Sequence, residues 1–197
     1  VITLLQAGAR LQRTLEAQQW QFCFIGGVAN FRWGTPRLTT DLDLTLLTGF
    51  GRESDFVRML LSLFASRISD PAAFAKRYRV LLLRTEEGMS VDIALGAMPF
   101  EERSIGRSSL GELVPGVTLR TCAAEDLIVH KAFAARPQDW VDIEGVVLRQ
   151  RGRLDWPQIW TELRDLAELK EAPELLDELA RVAQRAESVI GPFEWRP

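Results

Sequence analysis

The sequence predicts an α+β protein with a helical C-terminal half, and three observations carry that prediction. Short apolar runs bounded by turn residues fall before Thr121. Beyond it, apolar residues recur at helical spacing as far as Ile190. No internal repeat or low-complexity linker separates the two regions. A chain of 197 residues, 47% hydrophobic and 26% charged, can bury the core of one domain, or of one domain with a small helical appendage. The expected division is a strand-bearing core over residues 1–121 and a helical region over 122–197, with one compact unit as the alternative.

Taken in order, Ile2–Ala17 reads as an amphipathic helix, with Leu4, Leu5, Leu11 and Leu15 on one stripe. Phe22–Ile25 reads as a buried strand ending at Gly26-Gly27, and Val28–Trp33 as the helix after that turn. Leu38–Leu47 alternates strictly: Leu42, Leu44 and Leu46 share one face, and Asp41, Asp43 and Thr45 the other. Glu53–Ser66 is expected to be a helix packed through Phe56, Met59, Leu60, Leu63 and Phe64. Asp70-Pro71 supplies a cap and a first-turn proline for a short helix to Tyr78. Val80–Arg84 and Met89–Leu95 read as a hairpin, with Asp92 facing away from Val91, Ile93 and Leu95. Val117–Arg120 is one more short strand. Four helices follow over Ala123–Ala135, Pro137–Gln150, Trp156–Leu169 and Pro173–Ile190, the last with an apolar stripe at Leu175, Leu176, Leu179, Val182, Ala183 and Ala186.

Composition excludes several classes. Cys23 and Cys122 lie in apolar runs without a ligand-spaced partner, and His130 is the only histidine, so neither a disulfide framework nor a zinc site is expected. A net charge of −3 carries no global footprint for nucleic acid. No segment is apolar enough to span a bilayer and no signal peptide is evident, so a cytoplasmic protein without membrane association is expected. The chain opens on Val1, from which a recoded start or missing residues are expected. Among 24 basic residues only Lys76, Lys131 and Lys170 are lysines.

Asp41 and Asp43, two apart on a strand, place both carboxylates on one face with Cα atoms about 7 Å apart. Such charges repel unless a cation neutralises them, and Mg²⁺ favours oxygen ligands of this kind. Asp92 on a third strand is a candidate to complete a trio for in-line phosphoryl chemistry. A solvated sheet face explains the same spacing. Gly26-Gly27 between strand and helix lets backbone N–H groups approach a phosphate, and is equally the composition of a tight turn.

The stretch Ile25-Gly-Gly-Val-Ala-Asn-Phe-Arg-Trp-Gly-Thr-Pro-Arg-Leu-Thr-Thr-Asp-Leu-Asp-Leu44 resembles the core motif of the DNA polymerase β-type nucleotidyltransferase superfamily. Arg37-Leu-Thr-Thr-Asp-Leu-Asp43 is similar in particular to the AbiEii/AbiGii branch, the nucleotidyltransferase-like toxins of type IV toxin–antitoxin systems. Ser90-Val-Asp-Ile93 matches the third-carboxylate strand. Glu125-Asp-Leu-Ile-Val-His-Lys131 and Arg136-Pro-Gln-Asp-Trp-Val-Asp-Ile143 resemble the branch's helical motif, a lysine with a downstream aspartate. Gly27 departs from the pattern, since many superfamily members carry Ser there, and this leaves the backbone amides to hold phosphate.

The resemblance implies a mixed β-sheet flanked by helices and transfer of a nucleoside monophosphate from an NTP to an acceptor hydroxyl, with pyrophosphate released. It implies Mg²⁺ or Mn²⁺ on Asp41, Asp43 and Asp92, and phosphate held by Gly26, Gly27, Arg37, Thr39, Lys131 and Asp139, with the helical region completing the nucleotide site. The expected acceptor is RNA (tRNA) or protein, the expected setting a toxin–antitoxin or phage-defence system, and the expected partner an antitoxin. Each later residue has a plainer reading. Arg37 is also read as a surface loop arginine, Lys131 as a lysine reaching for solvent, Asp139 as a complement to a helix dipole, and Asp142 as its solvated neighbour. Arg149, Arg151 and Arg153 suit a helix C-terminus or a polynucleotide backbone, and Trp156 and Trp160 suit a core or partner surface. Two functional alternatives remain: a nucleotide-binding regulatory module without turnover, and an enzyme nucleotidylating a small molecule of the antibiotic type.

Overall fold

Strict alternation sorts the central strands into an apolar and a polar face. The computed structural model describes residues 2–196. Its strands are β1 (Phe22–Phe24), β2 (Asp41–Leu47), β3 (Ala65–Ser66), β4 (Val80–Arg84), β5 (Ser90–Gly96), β6 (Ser109–Val114) and β7 (Val117–Thr121). Its helices are α1 (Ile2–Ala17), α2 (Gly26–Trp33), α3 (Glu53–Leu63), α4 (Pro71–Tyr78), α5 (Pro99–Arg107), α6 (Ala124–Ala134), α7 (Pro137–Gln150), α8 (Trp156–Lys170) and α9 (Glu174–Ile190). This is an α+β protein with a helical C-terminal half. Among the described residues no helix is long and apolar enough to cross a membrane.

The chain forms two compact units. One comprises the residues up to Val28 with Leu38–Cys122, and the other comprises Ala29–Arg37 with the chain from Ala123 onward. Ala29–Arg37 thus groups with the helical half although it lies among the strands in sequence.

The first unit holds a mixed seven-stranded sheet in the order β3-β4-β5-β2-β1-β7-β6. Parallel pairing of β2 with β5 sets Leu42 beside Val91, Leu44 beside Ile93 and Leu46 beside Leu95, all buried. The same register brings Asp43 beside Asp92 on the other face. A slip of one residue would send Leu42, Leu44 and Leu46 to the polar face, so the apolar pattern fixes which carboxylates are neighbours. Helix α1 packs on β2 and β7 through Leu4, Leu5, Leu11 and Leu15. Cys23 and Cys122 are buried.

Several expected boundaries shift for local reasons. Strand β2 starts at Asp41 rather than Leu38, whose side chain is exposed. Helix α3 stops at Leu63, because Phe64 turns extended and leads into the short edge strand β3. Its buried positions are Val57 and Leu60, while Met59 and Leu63 face outward. Helix α4 follows expectation, with the Asp70 side chain accepting from Ala73 N at 3.1 Å. Neither α5 nor β6 is evident from periodicity. The segment over 99–107 is polar, and β6 is a mostly exposed edge strand paired only with β7.

In the second unit α6 packs on α7 and α8, and α9 packs on α7. Trp156 and Trp160 are core residues, with ring centroids 5.9 Å apart. The α9 stripe is buried at Leu175, Leu179, Val182, Ala183 and Ala186. Arg149 donates to Gly34 O at 2.6 Å, which places its cation at the C-terminal end of α2.

Candidate active site

In the strand unit the glycines lie against two side chains of the same motif. Ile25 N donates to Asp43 O at 2.9 Å, which fixes the end of β1 beside β2. Helix α2 begins at Gly26, two residues before the expected start, and Gly26 has φ +55. A Cβ on Gly26 would sit 2.1 Å from Asp43 Oδ2, and one on Gly27 would sit 2.3 Å from Thr39 Oγ1. Both positions therefore require glycine, Gly26 for its left-handed backbone as well as its space. The first turn of α2 is held against Asp43 and Thr39.

Asp41 and Asp43 occupy half-buried positions on the polar face, with Asp92 as the register partner of Asp43. Burial pushes the Asp92 carboxyl above its ordinary pKa; Arg67 opposes that rise, and the Asp41 charge adds to it. Arg67 is paired with Asp92 Oδ1. Among the described residues no group of three or more His, Cys, Asp or Glu side chains is close enough to hold a metal ion. Magnesium is commonly held by one or two carboxylates together with substrate phosphates, and the register partners Asp43 and Asp92, with Asp41 on the same face, are oxygen donors of that kind.

The helical unit carries a different cluster. Helix α6 closes with Ala135 in the left-handed region, and α7 starts at Pro137, placing Lys131 on the last turn of one helix opposite the first turn of the next. Lys131 is 4% exposed, and its Nζ donates to Asp139 Oδ1 at 3.2 Å and to Asp142 Oδ2 at 2.5 Å. Arg37 grips Asp142 bidentately, Nε to Oδ1 at 2.9 Å and a terminal nitrogen to Oδ2 at 2.9 Å. Gln138 Nε2 donates to Asp142 Oδ1 at 3.1 Å. Asp139 also accepts from Arg136 N at 3.2 Å, capping α7. Burial alone would raise the Asp142 pKa, but hydrogen bonds from Arg37 and Lys131 outweigh it and hold the carboxyl below its usual range. On the same helix as Lys131, burial pushes the half-buried His130 down to about 4, so it is neutral at pH 7.

A family model described as "Nucleotidyl transferase AbiEii toxin, Type IV TA system" matches residues 9–187. The chain belongs to the AbiEii nucleotidyltransferase family. It is a nucleotidyltransferase. No curated protein matches it. Among solved structures, a nucleotidyltransferase-like protein from Paracoccidioides brasiliensis aligns over 90% of this chain and 92% of its own, with 15% identity and a TM-score of 0.51. The antibiotic-resistance factor ANT(2'')-Ia aligns over 88% of this chain and 96% of its own, with 15% identity and a TM-score of 0.55. At that identity the likeness is one of fold.

In this AbiEii-family enzyme the residues singled out from sequence fall into two groups. Gly26, Gly27, Thr39, Asp41, Asp43 and Asp92 lie together in the strand unit, and Arg37, Lys131 and Asp139 lie together in the helical unit. Two plain readings give way to the structure. Lys131 is buried instead of reaching for solvent, and Asp142, read as a solvated neighbour, is the hub of its cluster, whereas Arg37 is an exposed loop arginine that also pairs with Asp142. The i,i+3 spacing of Asp139 and Asp142, which puts both on one face, was the available signal for Asp142. Arg67 has no sequence signal, because only the sheet order brings it to Asp92.

Proposed function

We propose that this nucleotidyltransferase moves a nucleoside monophosphate from an NTP to an acceptor hydroxyl on RNA, tRNA in particular, or on a protein, and acts as a toxin held in check by an antitoxin. The observation that carries the chemistry is the β2–β5 register, which sets Asp43 beside Asp92 with Asp41 on the same face and Gly26 against the Asp43 carboxylate. Asp41, Asp43 and Asp92 are the residues to hold Mg²⁺ or Mn²⁺, which supplies charge neutralisation at the transferring phosphoryl group. Gly26 and Gly27 present their amides at the N-terminus of α2 to phosphate oxygens, and the Thr39 hydroxyl adds a donor. Asp92 completes the carboxylate set and is the residue to take the proton from the incoming hydroxyl. In the helical unit, Lys131, Asp139 and Arg37 take the nucleotide-binding role that the family motif implies. Their mutual ion pairs support a pre-set geometry, with Lys131 oriented by Asp139 and Asp142. Catalysis of this kind rests on positioning and charge, and a chain with one histidine suits it.

The test is incubation with each labelled NTP, Mg²⁺ and total RNA, with parallel arms for protein and for aminoglycoside acceptors. Label is expected in RNA or protein, and Asp43→Ala is expected to lower transfer at least about 10³-fold with an unchanged melting temperature. Transfer that survives Asp43→Ala would remove the assignment. Label only in the small-molecule arm would move the acceptor to the antibiotic class. NTP binding by calorimetry without any product would favour a regulatory module.

A further inference from the structure

Arg67 is used by neither the motifs nor the chemistry proposed above. It follows β3, and its N–H donates to Leu82 O at 3.1 Å, extending the pairing of β3 with β4 by one residue. Leu82 is the register partner of Asp92, and Asp92 that of Asp43. The sheet order therefore lines up Arg67, Leu82, Asp92 and Asp43 in one row across four adjacent strands. The guanidinium reaches over Leu82 to Asp92 Oδ1.

This contact differs in kind from a structural arginine–carboxylate pair. Arg37 engages both oxygens of Asp142 through two nitrogens. Arg67 instead engages one oxygen of Asp92 through a terminal nitrogen, and its Nε is buried without a hydrogen-bond partner. A rigid fork used on one side only, with a buried donor left unmade, is a poor arrangement for stability. The pair is also open to exchange, since the Arg67 side chain is 21% exposed and that of Asp92 38%.

We propose that Arg67 is a displaceable counter-ion of the third carboxylate: it neutralises Asp92 until a divalent cation takes that carboxylate, and so sets the cation concentration at which the site loads. The inference rests on the cation-holding role proposed for Asp41, Asp43 and Asp92. The physical reason is competition. A guanidinium and a divalent cation repel each other and draw on the same carboxylate charge, so the binding of one weakens the binding of the other.

Calorimetric titration of Mn²⁺ into the full, nucleotide-free chain reads this without any activity assay. Arg67→Gln is expected to bind Mn²⁺ about five- to twentyfold more tightly than the parent protein. Arg67→Lys, which keeps a cation within reach, should stay within about threefold of the parent. In an Asp92→Asn background, Arg67→Gln should give no gain. A gain that persists there reports a general change of field and overturns the proposal. Unchanged or weaker binding by Arg67→Gln, together with loss of binding in Asp43→Asn, overturns the counter-ion role and leaves the cation-holding role standing. No binding by the folded parent or by folded Arg67→Gln overturns both. Should Arg67→Gln fail to fold, the side-chain Nε–H signal of Arg67 in the parent protein, followed by NMR, is expected to shift as Mg²⁺ is added. A signal unmoved at saturation overturns the proposal.

Discussion

The two charge clusters of this enzyme are built on opposite electrostatic plans. In the strand unit Asp41, Asp43 and Asp92 share a sheet face, half-buried, and the negative charge of Asp41 is felt at Asp92. In the helical unit Lys131 and Arg37 meet Asp139 and Asp142, and apart from Arg37 these groups are almost fully buried. The first cluster has an excess of one sign on a half-buried face. The second is neutralised from within, so that it holds its geometry without help.

The largest effect that tests this contrast is at Asp142. Asp142→Ala strips Lys131 of one partner and Arg37 of its bidentate grip on that carboxylate, and should cost about 3–5 kcal/mol in denaturant unfolding. Asp41→Asn removes a like charge from the strand face and should leave stability unchanged or raised by up to about 1 kcal/mol. Equal losses at both positions would erase the distinction.

Acid should act next most strongly, through the helical unit. His130 has a folded-state pKa of about 4 against an ordinary 6.5, so between those values the unfolded chain binds the extra proton and stability falls as pH falls. The loss reaches up to about 3 kcal/mol by pH 4. Asp142, held low, keeps its contribution above the ordinary carboxylate range and gives it up only as pH falls below that range. Unfolding midpoints measured from pH 7 to pH 4 check the slope, and His130→Gln should flatten it.

A smaller cost in stability, with a large cost in activity, is expected at Gly26. Alanine there meets the Asp43 carboxylate and a left-handed backbone, at about 1–3 kcal/mol. Because the displaced group is the Asp43 side chain, nucleotidyl transfer should fall by about 10²-fold or more while the fold persists. Transfer kept at the parent rate would separate Asp43 from the chemistry.

Much of this was legible in the chain itself. The Asp41, Asp43 and Asp92 faces follow from alternation with period two, and the helix starts at Pro71 and Pro137 follow from local capping chemistry. The two-residue strand β3 was not legible, because nothing within Phe64–Ser66 competes with a helix until β4 offers it a ladder. Helix α5 hides behind a polar sequence that buries only Phe100, Ser104 and Ile105.

Local sequence determined which residue types sit on which face, since side-chain direction depends on the backbone torsions of a few neighbours. Tertiary structure alone decided which charges meet. Arg67 reaches Asp92 across 25 residues and Arg37 grips Asp142 across 105, and neither separation carries a periodicity that marks its partner. Only strand order in one unit and helix packing in the other bring those groups within hydrogen-bond distance. The sequence thus specified the carboxylates of the strand face, and the fold assigned each of these arginines the carboxylate it neutralises.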